Sequence, residues 1–152
     1  MELVKERTEE KTEHIRKFAP IWVAAIPFLG ISGDRKAVSV LVEVLSDENA
    51  TLDAIIGAVI ALERIGDESA IPALHELLER EDLPTERVLN SNMGAVEDAR
   101  WQVELNVASA LSKLGAPAEE VRQIIGLYLN DARAYVRRYA NRLLKPTRED
   151  IS

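Results

Sequence analysis

Apolar residues recur along the chain at helical spacing, and Gly-Asp pairs interrupt them at regular intervals. In residues 51–65 they fall three and four positions apart, which predicts an amphipathic helix. Gly66 then supplies the left-handed backbone conformation that ends a helix without a Cβ penalty. Asp67 can accept hydrogen bonds from the free N–H groups of a following helix, whose opening turn tolerates Pro72. The pattern therefore predicts two antiparallel helices joined by a tight turn.

This sequence pattern occurs three times. Gly33 precedes Gly66 by 33 residues, and Leu41 then falls in register with Leu74. A third copy covers 108–129, with Gly115 in the place of Gly66 and one residue inserted after it. Its predicted apolar positions are Val121, Ile124 and Leu127. Because no helix pair can bury its apolar face alone, repeats of this length must stack on one another, and the predicted fold is an all-α, right-handed α-α superhelix of about three and a half pairs.

The pattern also predicts where the helices and the domain boundaries lie. The helices are expected at about 20–31 and at 35–46, 51–65, 68–81, 97–114, 118–129 and 131–145. They form a repeat domain over 18–145, between a charged N-terminal extension at 1–17 and a polar tail at 146–152. From Gly66 to Gly115 there are 49 residues, 16 more than the first interval, so an insertion is expected near 82–98. It is interpreted as a linker, either functional or a tolerated surface loop.

The repeat carries a family resemblance. The stretch ALERIGDESAIPALHELL at 61–78 is similar to the HEAT-like repeats of the phycobilisome-lyase type, and DARAYVRRYANRLL at 131–144 resembles the opening helix of such a repeat. The resemblance implies a solenoid in which the second helix of each pair lines the concave side. Since the family consists mostly of scaffolds and adaptors, it implies a non-catalytic protein-binding role. The lyases that share the repeat imply an alternative, an accessory or lyase-type subunit that handles a chromophore or cofactor.

Charge is distributed unevenly along the chain. The net charge is −7, but residues 37–99 hold 14 acids and 3 bases, whereas residues 100–152 have a net charge of +3. An acidic middle repels phosphate backbones, so nucleic acid is a disfavoured partner and a basic or helical segment of another protein is expected. Projected from the resemblance, the concave side carries Ser39, Glu43, His75, Glu76, Glu79, Arg122 and Gln123.

The predicted last helix is basic. Arg137, Arg138 and Arg142 lie on it, with Tyr135 and Tyr139 expected near its rim. Basic and aromatic side chains together favour nucleic-acid contact as a second alternative, and they also suit an acidic protein segment or the acidic middle of another copy. Exposed apolar residues in the terminal repeats would provide a contact between copies, so a monomer or weak homodimer is expected.

The sequence contains few residues that indicate catalysis or metal binding. The chain has no cysteine, which excludes disulfides and thiolate sites. Trp22 and Trp101 are predicted core residues. One His-Glu pair, His75-Glu76, lacks the converging ligands that a metal needs and is interpreted as a solvated surface. Glu97-Asp98 is interpreted as a solvated helix cap. We therefore predict no catalytic residue, metal or cofactor, and the absence of an apolar leader or a bilayer-length apolar stretch favours the cytoplasm.

Overall fold

The computed structural model of the protein describes residues 24–90 and 92–145. Its helices are α1 (described over residues 24–32), α2 (Ala37–Ser46), α3 (Leu52–Ile65), α4 (Ile71–Glu79), α5 (Arg100–Leu114), α6 (Ala118–Gly126) and α7 (Ala134–Leu143). A 3-10 turn, Glu68–Ala70, leads into α4, and strands β1 (Glu86–Asn90) and β2 (Ala95–Asp98) lie between α4 and α5. The predicted extension at 1–17, the tail at 146–152 and Trp22 lie outside the described residues.

Glycine turns end the first helix of each pair, as the sequence predicts. Gly33, Gly66 and Gly115 have φ angles of 63, 74 and 91 degrees, in the left-handed region that side-chain-bearing residues avoid. After the first two, Asp34 and Asp67 accept hydrogen bonds from the amides two residues on, at 2.9 and 3.0 Å. The repeated Gly-Asp pair is thus the device that reverses the chain.

The helices form two layers. In the first-helix layer, α3 packs against α5 and α5 against α7, while α2 packs beside α4 in the second-helix layer. The first helix joins its layer by close approach, because a Cβ built on Gly30 would lie 2.8 Å from the Cα of Ala61 in α3. Three helix pairs, α1–α2, α3–α4 and α5–α6, are followed by α7 in the described part of the chain. The predicted stack of helical hairpins is confirmed.

The core is aliphatic and continuous through the stack. Leu41, Leu74 and Leu111 are each fully buried, and burial of one such side chain contributes about 1.5–3 kcal/mol. One predicted core position is wrong: Leu127 is 70% exposed, and Ile125 is buried in its place. The cause is that α6 ends at Gly126, so the chain has already begun to turn. Of the helices in the described ranges, none combines the length and apolar character that a bilayer crossing requires.

Arginine side chains tie successive pairs together at the helix ends. Arg80 donates from Nη1 to the backbone oxygen of Leu45, near the end of α2, at 2.6 Å. Arg100 donates to the backbone oxygens of Arg80 and Leu78, at the end of α4, both at 2.9 Å. The last carbonyls of a helix lack intrahelical partners, so a side chain from the following element satisfies them. These contacts therefore tie the end of α4 to α2 on one side and to α5 on the other.

The insertion forms a β-hairpin, which corrects the predicted linker and is the exception to the all-α fold within the described ranges. Its strands pair antiparallel, with Val88 opposite Val96, and Gly94 in the turn has a φ of 61 degrees. Residues 97 and 98 belong to β2, so α5 begins at Arg100 rather than at 97. Valines at facing positions favour a sheet, and the polar residues between the strands favour the turn.

Candidate protein-interaction surfaces

The residues predicted for the concave side all lie on the second-helix layer, and we call this set the second-helix surface. Six of the seven are exposed, and His75 is half-buried. The predicted residues are Ser39 and Glu43 on α2, His75, Glu76 and Glu79 on α4, and Arg122 and Gln123 on α6. Because α2 and α4 pack side by side, the structure brings the first five onto neighbouring helices. Arg122 and Gln123 lie one helix further along.

Three carboxylates dominate the exposed side of α2 and α4. Glu43 on α2 and Glu76 and Glu79 on α4 are solvent-exposed, and within 24–90 and 92–145 none of them forms an ion pair or a side-chain hydrogen bond. Ser39 turns its hydroxyl back to the backbone oxygen of Lys36, at 3.4 Å, so it contributes no free donor. The second-helix surface is therefore acidic over its first two helices.

His75 has a structural contact that the sequence did not indicate. Its Nε2 lies 2.5 Å from Oε1 of Glu120 on α6, so the side chain, which is 43% exposed, also joins α4 to the next second helix. Glu76, its neighbour, points to solvent. Among the residues that the structure describes, no group of three or more His, Asp or Glu side chains is placed to hold a metal ion.

Glu97 is the centre of a polar cluster that sequence analysis missed. The residue is 8% exposed, in contrast to the solvated cap expected. Its Oε1 accepts hydrogen bonds from Trp101 Nε1 at 3.0 Å, Tyr135 OH at 2.5 Å and Arg133 Nη1 at 3.2 Å. A buried carboxylate is tolerated when such donors compensate its lost hydration. The Glu97 cluster thereby joins the hairpin to both α5 and α7.

Arg133 and Asp131 extend the Glu97 cluster. The Arg133 guanidinium forms a two-pronged pair with Asp131, at 2.8 and 2.9 Å, and donates to the backbone oxygen of Asp98 at 2.7 Å. The hydrogen bond from Arg133 lowers the pKa of Asp131 to about 2. The hydrogen bond to Glu97 raises the pKa of Tyr135, because ionisation would place two negative charges together. Arg133 is therefore a fixed structural cation, set apart from the arginines that follow it on α7.

Trp101 sits between two tyrosines of α7. Its ring makes edge-to-face contacts with Tyr135 and Tyr139, with centroid distances of 5.8 and 6.0 Å. Tyr139 OH also donates to Oδ1 of the buried Asn106, at 3.2 Å. Trp101 is half-buried, so the predicted core position is in fact the contact between α5 and the last described helix.

The predicted basic residues divide into two kinds. Arg137 is half-buried and donates from Nη1 to the backbone oxygens of Asp131 and Ala132, at 2.6 and 3.0 Å. Arg138 and Arg142 are exposed on α7. The structure therefore leaves these two at the surface and assigns Arg137 partly to fixing the start of its own helix.

Residues 56–80 match the family model described as the PBS lyase HEAT-like repeat. The match runs from the second turn of α3 through the Gly66-Asp67 turn to the end of α4, the central helix pair of the stack. Stacked antiparallel helix pairs define a helical repeat protein. The central helix pair of this stack is therefore a HEAT-like repeat, as the sequence resemblance predicts. No curated protein matches the chain.

Proposed function

We propose that the protein is a non-catalytic scaffold whose second-helix surface binds a basic, amphipathic segment of another protein. One observation carries the proposal: Glu43, Glu76 and Glu79 project from two helices that pack side by side, and no ion pair in the described ranges neutralises them. Carboxylates held on a rigid stack keep their relative positions when a partner arrives. A basic segment would therefore find a preformed site.

The affinity of such a site would come from two sources. Exposed ion pairs contribute only about 0.2–1 kcal/mol each, so three carboxylates supply mainly orientation and a faster encounter. Half-buried apolar side chains on the same helices, Val44 and Leu78, supply apolar surface for burial. An amphipathic helix with basic residues beside an apolar stripe satisfies both requirements.

Charge reversal tests the proposal. The variant E43K/E76K/E79K is compared with E48K/E81K/E86K, which makes the same charge change at exposed residues outside α2 and α4. The probe is a synthetic amphipathic Lys/Leu helix, and its binding is measured by fluorescence polarisation. We expect the first variant to lose binding and the second to retain it. Equal loss in both variants would show general electrostatic attraction and would contradict a defined site.

A lyase-type role is the second candidate, and the family description is the observation that favours it. The test is absorbance after incubation with a linear tetrapyrrole. Colour that stays with the protein through gel filtration would favour chromophore handling over the scaffold.

A further inference from the structure

Helix α7 has one buried side and one open side. The side chains of Val136 and Ala140 are fully buried and pack α7 against the stack. On the opposite side, α7 borders an open concavity with a volume of about 760 Å³. Its described lining comes from residues 134–145 alone: Ala134, Tyr135, Arg137, Arg138, Tyr139, Asn141, Arg142 and Lys145. We call it the α7 groove. In the described part of the chain, α7 is a first helix with no second helix after it.

Among the described residues that line the α7 groove, the charges have one sign. None of these residues is acidic, and Arg138, Arg142 and Lys145 are exposed. Arg138 and Arg142 lie four residues apart on one face of α7, and Lys145 follows two residues after the helix ends. Arg138 and Arg142 are therefore about 6 Å apart along the helix axis. The result is a straight cationic stripe that matches the spacing of side chains on another helix.

The groove is also preorganised. The guanidinium carbon of Arg142 lies 4.9 Å from the centroid of the Tyr139 ring, a cation–π contact that restrains the side chain. Tyr135 and Tyr139 direct their hydroxyls inward, to Glu97 and Asn106. The two tyrosines therefore offer ring surface to the groove, and the arginines supply its rim. Such a surface suits a ligand with both carboxylates and apolar side chains.

We propose that the α7 groove docks an acidic amphipathic helix of a partner protein. Carboxylates three and four residues apart on that helix would face the cationic stripe, and its apolar residues would cover the tyrosine rings. Nucleic acid fits less well, because residues 37–99 have a net charge of −11 and would repel a backbone extending beyond the groove. This second binding surface is independent of the acidic second-helix surface.

The test uses the whole chain and a defined probe. The probe is a synthetic helical peptide with glutamates at positions i, i+4 and i+7 beside a leucine stripe, and its dissociation constant is measured by fluorescence polarisation at low salt. We expect R138E/R142E to raise the dissociation constant at least about tenfold, because two attractions become repulsions. The control R35E/R64E makes the same charge change at exposed residues of the first two repeats and should leave binding unchanged.

Each outcome decides the proposal. Binding that is lost in R138E/R142E and retained in the control supports it. It is overturned if the acidic peptide fails to bind, if a glutamine version of the peptide binds equally well, or if single-stranded RNA competes through the same two arginines with higher affinity. Sedimentation showing that the arginines mediate self-association instead would also overturn it. Should R138E/R142E fail to fold by circular dichroism, R138Q/R142Q is substituted, with a smaller but still selective loss expected.

Discussion

Replacing Glu97 by alanine removes the acceptor that holds the hairpin against α5 and α7. The Glu97 side chain is 6% exposed and accepts from Trp101, Arg133 and Tyr135, which belong to two other elements of the fold. Truncation therefore leaves three donors without their partner and opens a gap beneath β2.

The size of the stability loss depends on which other hydrogen-bond partners remain for each of the three donors. Hydrogen bonds to a charged group contribute about 1.5–3 kcal/mol, but Arg133 keeps Asp131 and the backbone oxygen of Asp98. Tyr135 is exposed enough for water to replace the carboxylate. The main loss is the indole N–H of Trp101 together with the packing of the removed side chain. We expect Glu97→Ala to lower the free energy of unfolding by about 2–3 kcal/mol, and Glu97→Gln by about 1 kcal/mol.

Two measurements check this expectation. Urea unfolding followed by circular dichroism gives the free energy, and for a chain of this size the loss corresponds to a melting temperature lower by about 5–10 °C. Trypsin provides a local readout, because Arg87 lies within β1 and is half-buried. If Glu97 anchors the hairpin, cleavage after Arg87 should become faster in Glu97→Ala before the helices unfold.

The matched control is Glu86→Ala, an exposed glutamate on the same hairpin. Its free energy of unfolding should stay within about 0.5 kcal/mol of the original. A loss below that size for Glu97→Ala, with trypsin cleavage unchanged, would refute the assignment of Glu97 as the hairpin anchor.

Three further predictions concern the core, a helix contact and pH. Leu74→Ala empties a fully buried site and should destabilise by about 2–5 kcal/mol in urea unfolding; a loss under 1 kcal/mol would mean that the layers repack freely. Gly30→Ala forces α1 away from α3 and should lower the free energy of unfolding by about 1–3 kcal/mol. Gly126→Ala, with open space around the new Cβ, should raise it by about 0.4–1 kcal/mol. Equal effects of the two substitutions would contradict the close approach of α1 and α3. Asp131 has a native pKa of about 2, below its ordinary 3.8, so the stability it confers is complete above about pH 5 and is lost as pH falls toward 2. As the pH falls over that range, the melting temperature of Asp131→Asn should decrease less steeply than that of the unsubstituted protein. Parallel plots of melting temperature against pH would exclude the Asp131–Arg133 pair as the cause of the pH dependence.

The helical stack was predictable because its signals are local. Gly66 and Asp67 act through their own backbone neighbourhood, and Leu41 and Leu74 follow the helical period in consecutive copies. A repeat also presents the same pattern more than once, so an error in one copy is corrected by the next. Leu127 shows the limit of this reasoning, since the inserted residue and the early end of α6 shifted the register.

The polar contacts were not predictable, because they depend on how distant elements meet. His75 and Glu120 are 45 residues apart, and Arg133 reaches Glu97 across 36. A carboxylate in an acidic pair just before a helix is usually solvated, and nothing near Glu97 in sequence indicates that α7 will cover it. The one local sign was the spacing of Glu97 and Trp101, four residues apart, which places the indole N–H within reach.

The hairpin was missed for a different reason. Its strands are short, and the polar residues between them resemble a loop, so the facing valines alone carry the strand signal. Their outer positions are exposed, with Val88 at 62% and Val96 at 59%, and the alternation of buried and exposed residues that identifies a strand is weak. A sheet of this kind is held by its anchoring contacts more than by its own pattern.

Because the hairpin is held at its base, where the Ala99 amide donates to the Thr85 oxygen at 2.7 Å, its turn is available for engineering. Met93 in that turn is 79% exposed, and the chain contains no cysteine. A single Met93→Cys substitution would therefore create a unique thiol for a maleimide dye, far from every helix contact in the core. Such a label would report by energy transfer the binding of a labelled peptide to the protein.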